Sequence, residues 1–198
     1  MEREVAVPGG PGGRALRSDA ERTVRRILEA AERVLRDDPT ATMERIAEAA
    51  GVARTTIHRR FTSREALIDA MTLWAAQQFD AAVRAGRPDT LPPLVALYQV
   101  TANVLRVKSG WGFAMSRPGS ADPEVERIHA RVLAECDRLF LRARDAGDIR
   151  ADVDLVWARR VYYALIHEAT RSIPADGDTD ALASRVVDTL LRGIGSAT

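Results

Sequence analysis

Four polar side chains in the first third of the chain have the types and the spacing that suit contacts with a nucleic acid. They are Arg54, Thr55, His58 and Arg59, which share one face of any helix that covers them. Arginine and histidine donate hydrogen bonds to phosphate oxygens, arginine also reads guanine edges, and threonine contacts either kind of group. This set therefore predicts a surface for the backbone and base edges of DNA.

The elements that must position these side chains are two helices joined by a tight turn. Ala47, Gly51 and Ile57 follow the spacing A-x3-G-x5-I, in which alanine allows close packing, glycine reverses the chain and isoleucine fills the shared core. Residues 42 to 67 therefore predict a helix-turn-helix followed by the capped start of another helix. An ordinary helical hairpin that ends in glycine is the alternative interpretation of this spacing.

Charge is distributed unevenly along the 198 residues, whose formal net charge is +1 at pH 7. Residues 1 to 64 contain 13 Arg against 10 Asp or Glu, a net charge of +3. Residues 65 to 198 contain 16 Lys or Arg against 18 Asp or Glu, a net charge of −2. The basic excess accompanies the predicted helix-turn-helix, as binding to phosphates requires.

Cysteine and histidine are too scarce for disulfide or metal chemistry. With Cys136 alone and three histidines, we expect no disulfide, metal site or cofactor, in a cytoplasmic protein. His129 and Cys136 could share a helix face, but no activating partner is identifiable, so Cys136 is interpreted as a core residue. No enzyme motif and no apolar run of membrane-spanning length is found. We predict a binding protein that is neither an enzyme nor membrane-bound.

The N-terminal residues differ in composition from the rest. Residues 1 to 17 contain VPGGPGG, whose glycine and proline content favours a disordered tail. A helix is expected from Ser18 or Asp19 to about Arg36, with its apolar residues on one face and arginines, including Arg26, on the other. Ser63 is the predicted cap of the helix that follows the helix-turn-helix.

A longer stretch around the turn resembles a known family. IAEAAGVARTTIHRRFTSREALIDAM is similar to the DNA-binding domain of the TetR family of bacterial transcriptional regulators, over about residues 18 to 71. His58 stands where the family usually has tyrosine, and Arg64 where it usually has lysine. Both replacements still donate to a phosphate, so the expected DNA binding is retained.

The resemblance implies a role for each matched residue. Phosphate contacts are implied for Thr42, Thr56, His58, Arg60 and Arg64, and base contacts for Arg54, Thr55 and Arg59. It also implies that the long helix after residue 63 joins the DNA-binding head to a helical body that binds ligand and dimerises. The partner of the head would be a palindromic double-stranded DNA operator.

The last two predicted helices are apolar on more than one side, which favours a partner on the second side. The resemblance implies a four-helix homodimer interface, and the alternative is that both helices lie inside a monomeric core. The predicted interface residues are Tyr162, Leu165, Ile166, Ala169, Leu182, Val186, Leu190 and Ile194.

Large side chains of the body are candidates for a pocket that takes a small hydrophobic effector. Tyr163 and His167, one helical turn apart, are the preferred polar anchors. The full candidate set is Trp74, Tyr98, Trp111, Phe113, Met115, His129, Phe140, Trp157, Tyr163 and His167.

The sequence thus predicts an all-α protein in three parts: a tail over 1–17, a DNA-binding domain over 18–62, and a ligand-binding and dimerisation domain over 63–198. The predicted function is a homodimeric transcriptional repressor released from its operator by the effector. A ligand-independent accessory DNA-binding protein and an enzyme with an unrelated helical hairpin are the alternatives, and a body packed without a cavity would favour the first of these.

Overall fold

The structure, a computed structural model, describes residues 11 to 116, 122 to 171 and 178 to 195, with side chains from Ser18 onward. This part of the chain is helical, and an isolated bridge between Ile149 and Gly195 is its one extended pairing. The predicted all-α fold is confirmed. The helices are α1 Pro11–Asp37, α2 Met43–Ala49, α3 Arg54–Arg60, α4 Arg64–Ala85, α5 Pro93–Gly110, α6 Gly112–Ser116, α7 Pro123–Asp145, α8 Leu155–Arg171 and α9 Thr179–Ile194.

The first helix begins earlier than the sequence predicted. α1 starts at Pro11, so the disordered tail expected over residues 1–17 does not reach residue 17, and residues 1 to 10 lie outside the described part. Proline is favoured in a first helical turn because its fixed φ suits the helix and its missing N–H is not needed there. The good helix formers that follow Gly13 extend the helix from that start.

The chain divides into two compact units, residues 1 to 70 and residues 71 to 198. The division falls within α4, after the boundary at residue 62 that we predicted for the DNA-binding domain, and the functional boundaries stay a prediction. In the first unit, α1 packs on α2 and α2 packs on α3. Its fully buried side chains include Ile27, Ile46 and Ile57, which the apolar pattern predicted.

Two side-chain caps begin helices of the first unit. Thr42 Oγ1 accepts a hydrogen bond from the backbone N–H of Arg45 at 3.3 Å, and Ser63 Oγ accepts one from Ala66 at 3.1 Å. Each cap satisfies an N–H that has no partner within its helix. The predicted starts of α2 and α4 are therefore confirmed.

In the second unit, α5 packs against α7, α8 and α9, and α8 packs against both α7 and α9. Gly86 comes directly after α4 and lies so close to α5 that a Cβ at this position would be 2.5 Å from Val100 Cγ2. A glycine is therefore required at this position by packing. Gly147, with φ of 84°, follows the end of α7 in the left-handed conformation that glycine favours there.

Most of the predicted interface residues, which form a stripe along α8 and α9, are buried within the chain itself. The buried members belong to the core of the second unit, and they are Tyr162, Ile166, Ala169, Val186 and Leu190. Their assignment to a surface between subunits is wrong, because α8 and α9 pack on each other and on α5 through this stripe. Leu165, Leu182 and Ile194 stay partly exposed.

Helix α8 also carries large apolar side chains that are exposed to solvent. Val156 is 49% exposed and Trp157 is 62% exposed, so two consecutive bulky apolar residues are in contact with solvent.

Across the described residues, no helix is both long enough and apolar enough to cross a membrane.

Candidate nucleic-acid interface and internal cavity

Helix α3 presents a polar surface to solvent over nearly its whole length. Ile57 is fully buried and Thr56 is half-buried. The remaining side chains of α3, all exposed, are Arg54, Thr55, His58, Arg59 and Arg60. The sequence-predicted contact residues of this helix are thus brought together on one accessible surface, with three arginines available for phosphates and base edges.

A residue of α1 fixes the turn that sets the angle of α3. Arg26 Nη2 donates to the carbonyl oxygens of Ala50 at 2.7 Å and Gly51 at 3.1 Å. Gly51 has φ of 63°, the left-handed conformation that glycine adopts without a steric penalty. The sequence interpretation placed Arg26 on the solvent face of α1, and the structure instead uses it to satisfy the carbonyls at the end of α2.

Glu44 of α2 connects the two helices on the polar surface. Its Oε1 lies 2.9 Å from Arg54 Nη2 and 3.4 Å from His58 Nε2. A hydrogen bond from its own backbone N–H and the contact with His58, together with the Arg54 charge, hold the pKa of the Glu44 carboxyl below its usual value. Glu44 was not among the predicted site residues, although an acidic residue opposite an arginine and a histidine on a basic surface is a signal for such a contact.

Arg64 has an internal role that the resemblance did not suggest. Its guanidinium donates to the carbonyl of Pro39 and, through Nε at 3.4 Å, to the carbonyl of Ala41. These contacts tie the start of α4 to the loop before α2, next to Thr42. Arg64 therefore uses two of its five donors within the protein, and its phosphate contact stays a prediction.

The second unit contains a cavity of about 640 Å³, a size typical of small-molecule sites. It is bounded by α4, α5, α7 and α8, and three of the ten predicted ligand residues line it: His129, Tyr163 and His167. The two preferred anchors on α8 are thus both at the cavity. Their contact with a ligand stays a prediction.

The other predicted ligand residues lie elsewhere. Phe140 is 1% exposed in the core, where its ring centroid is 5.6 Å from that of Tyr162. Tyr98 donates to Asp188 on α9, which raises the pKa of its phenol to about 12, and Trp157 is exposed on α8. The candidates outside the cavity lining are Trp74, Tyr98, Trp111, Phe113, Met115, Phe140 and Trp157.

The Cys136 thiol and the phenols of Tyr162 and Tyr163 at the cavity keep their protons at neutral pH. Burial raises the pKa of the Cys136 thiol to about 11, against a smaller opposing effect from its hydrogen bond with Tyr163. Burial likewise raises the phenol pKa values of Tyr162 and Tyr163. The Tyr162 hydroxyl lies 2.8 Å from Thr101 Oγ1, which itself donates to Leu97. Tyr162 is therefore the donor in this buried pair.

The sequence interpretation missed most of the cavity lining. The missed polar residues are Lys108, Glu126, Glu135, Cys136 and Tyr162. Glu135 is 7% exposed and shares the apolar stripe of α7 with Val132 and Leu139, at helical spacing. An acidic residue on the inward stripe of an amphipathic helix is a pattern that could have identified it. Among the described residues, no three His, Cys, Asp or Glu side chains come together as a metal site would need.

Known proteins of one family are similar to this chain over most of its length. A model of "Bacterial regulatory proteins, tetR family" matches residues 27 to 71. The HTH-type transcriptional repressor LfrR of Mycolicibacterium smegmatis is 31% identical over 176 residues, which are 88% of this chain and 91% of LfrR.

Solved structures extend the likeness to the fold. The structure of LfrR from Mycobacterium smegmatis in complex with proflavine has a TM-score of 0.67 at 30% identity, covering 89% of this chain and 99% of that one. PfmR of Thermus thermophilus has a TM-score of 0.73 at 21% identity over 86% of this chain and 99% of its own, which supports the fold alone. The chain belongs to the TetR family of bacterial transcriptional regulators, whose helix-turn-helix binds DNA, and it is not an enzyme.

Proposed function

We propose that this protein is a homodimeric repressor that binds a palindromic operator through α3 and leaves it when a small ligand occupies the cavity of the second unit. The observation that carries the DNA-binding part is the exposed basic surface of α3, with Arg54 held by Glu44 at 2.9 Å. A held guanidinium loses less conformational freedom on meeting a base than a free one does. Since bacterial chromosomal DNA is cytoplasmic, we expect the protein to act there.

The ligand-binding part is supported by the cavity itself. Its lining is mainly apolar, with a few polar groups that could orient a ligand, including the predicted anchors Tyr163 and His167. The relative LfrR is a repressor by name, and one of its structures holds proflavine. We extend both properties, repression and a small-molecule ligand, to this chain as part of the proposal.

The dimer is supported by the apolar side chains that α8 and α9 leave exposed. Val156 and Trp157 present adjacent apolar surface, and Leu165, Leu182 and Ile194 of the predicted interface are not fully buried. A two-fold interface would bury such surface twice, once from each subunit. Two heads related by that symmetry would meet two half-sites of a palindrome.

Release by ligand requires that the ligand bind the DNA-free form more tightly than the DNA-bound form. The experiment is therefore a competition: operator fragments are first selected from random DNA by the full-length protein. Dissociation of the selected duplex is then followed by fluorescence anisotropy as candidate ligands are added. A ligand that binds calorimetrically and also raises the dissociation constant for the operator supports the proposal. Binding of such ligands with no effect on the operator complex contradicts it.

A further inference from the structure

Glu135 is a buried carboxylate whose hydrogen bonding is incomplete. Only 7% of the residue is exposed, and its Oε2 has no hydrogen-bond partner among the described residues. Buried polar atoms are almost always paired, because an unpaired one has lost its water without a replacement. The unpaired oxygen belongs to a side chain that lines the cavity.

The neighbouring buried carboxylate shows what complete pairing looks like in this protein. Asp80, 2% exposed, lies 2.7 Å from Arg84 and 2.8 Å from Arg131. Both arginines are thereby used by Asp80, whose own charge adds to burial in raising the pKa of Glu135. Glu135 is thus left without a cation of its own beside a fully paired acid.

Arg138, the nearby arginine that favours an ionised Glu135, is used by another partner. Its guanidinium donates to both carboxylate oxygens of Asp89, at 3.3 Å and 3.4 Å. Glu135 therefore brings to the cavity lining a carboxylate that no arginine of the described chain pairs with.

The rest of the lining suits an aromatic ligand with a positive charge. Phe79, Tyr162 and Tyr163 contribute aromatic side chains, and aromatic faces attract both flat apolar groups and cations. Glu126 adds a second carboxylate, at an exposed position of the lining, against the single ammonium of Lys108.

We propose that the cavity selects aromatic cations and that the carboxylate of Glu135 is their counter-ion. This inference rests on the proposed function and gives the effector a chemical class. The ligand would offset the desolvation of Glu135, since a buried charge is tolerated when it is paired. The same contact would reject neutral molecules of equal shape, which leave the carboxylate unpaired.

The test compares three ring systems of similar size that differ in charge. N-methylacridinium is a permanent cation, acridine is neutral at slightly alkaline pH, and anthracene carboxylate is an anion. Isothermal titration calorimetry on the full-length protein should give the highest affinity for the cation, a lower affinity for the neutral ligand and the lowest for the anion. Glu135→Gln should lower the affinity for the cation by about 10- to 100-fold and change the affinity for acridine by less than about twofold.

Glu124→Gln is the matched control, because Glu124 lies on the same helix and pairs with Arg127 at 2.7 Å outside the cavity lining. It should leave all three affinities unchanged. A thermal melt of Glu135→Gln verifies that the variant is folded, and removal of the unpaired charge should leave the melting temperature the same or higher. If that variant does not fold, the ligand order in the wild-type protein decides alone.

Three results would overturn the inference: acridine or the anion binds the wild-type protein best, none of the three ligands binds, or Glu135→Gln weakens cation and neutral ligand equally. None of these three results would change whether the wild-type protein selects an operator, so the proposed function is tested separately. Conversely, a cation that binds through Glu135 but leaves the operator complex intact would contradict the proposed function and keep the ligand class.

Discussion

The Glu44 carboxylate of α2 lies 2.9 Å from the guanidinium of Arg54 on α3, so one helix of the helix-turn-helix holds the base-reading candidate of the other. The same oxygen lies 3.4 Å from His58 Nε2. An acid on a DNA-binding surface repels phosphates, and its presence is explained if it orients the Arg54 guanidinium beside it. We therefore expect Glu44 to act on specificity more than on affinity.

Glu44→Gln should increase the affinity for unrelated DNA and reduce the preference for the operator. The substitution removes a negative charge and frees Arg54 to contact phosphates, so the dependence of log K on log salt should steepen by up to about one unit. Anisotropy titrations on operator and scrambled duplexes at several salt concentrations measure both effects. Glu48→Gln removes the same charge from α2 without touching Arg54, and identical behaviour of the two variants would refute a positioning role.

Gly51→Ala should destabilise the first unit by about 1 to 2 kcal/mol, because alanine is strained in the left-handed conformation. Its Cβ would also lie 3.2 Å from Arg26 Nη2, which holds this turn. Urea unfolding gives the difference in the free energy of unfolding. Gly112→Ala is the control: a Cβ there meets no atom from another part of the described chain within 4 Å, and no loss of stability is expected. Equal stability of Gly51→Ala and the wild-type protein would show that this turn tolerates a side chain.

Tyr162→Phe and Trp157→Ala should separate the core of the second unit from the proposed subunit interface. Tyr162→Phe removes the donor to Thr101 and should lower the free energy of unfolding by about 1 kcal/mol with the dimer mass unchanged. Trp157→Ala should instead shift the sedimentation equilibrium towards monomer. The reverse outcome, in which Tyr162→Phe dissociates the dimer, would return this residue to the interface that the sequence predicted.

Cys136 should react slowly with iodoacetamide at neutral pH, since burial raises its pKa from 9.0 to about 11 and only the thiolate attacks. The rate should rise roughly tenfold per pH unit below that pKa. The folded thiol keeps its proton between pH 9.0 and about 11 while the unfolded one loses it, so rising pH across this window favours unfolding. The protein in concentrated urea is the control, and equal rates in both states would contradict the assigned burial.

Local signals in the sequence carried the fold of the first unit. Gly51, Ile57 and the caps Thr42 and Ser63 act within a few residues of themselves, so spacing alone predicted the helix-turn-helix and its boundaries. The contacts of Arg26 and Arg64 were missed because each joins segments far apart in the chain, and an arginine pattern does not reveal which carbonyls it meets.

The second unit shows the opposite case. The apolar pattern predicted two apolar sides for the last two helices, α8 and α9, but could not assign those sides, since that choice depends on how both helices pack against α5. For this reason Tyr162 is buried and Trp157 is exposed. The cavity draws its walls from four helices, so large side chains such as Phe140 could be core or lining, and only the packed structure separates them.

The measurement that tests the central claim most directly is the affinity of the full-length protein for a duplex that it has itself selected, compared with a scrambled duplex of equal length and composition. We expect a preference of about 1,000-fold or more at physiological salt. Arg54→Ala should remove much of this preference, by about 1 to 3 kcal/mol, while Arg127→Ala on α7 should leave it intact. Equal affinity of the wild-type protein for the two duplexes would contradict sequence-specific regulation by this chain.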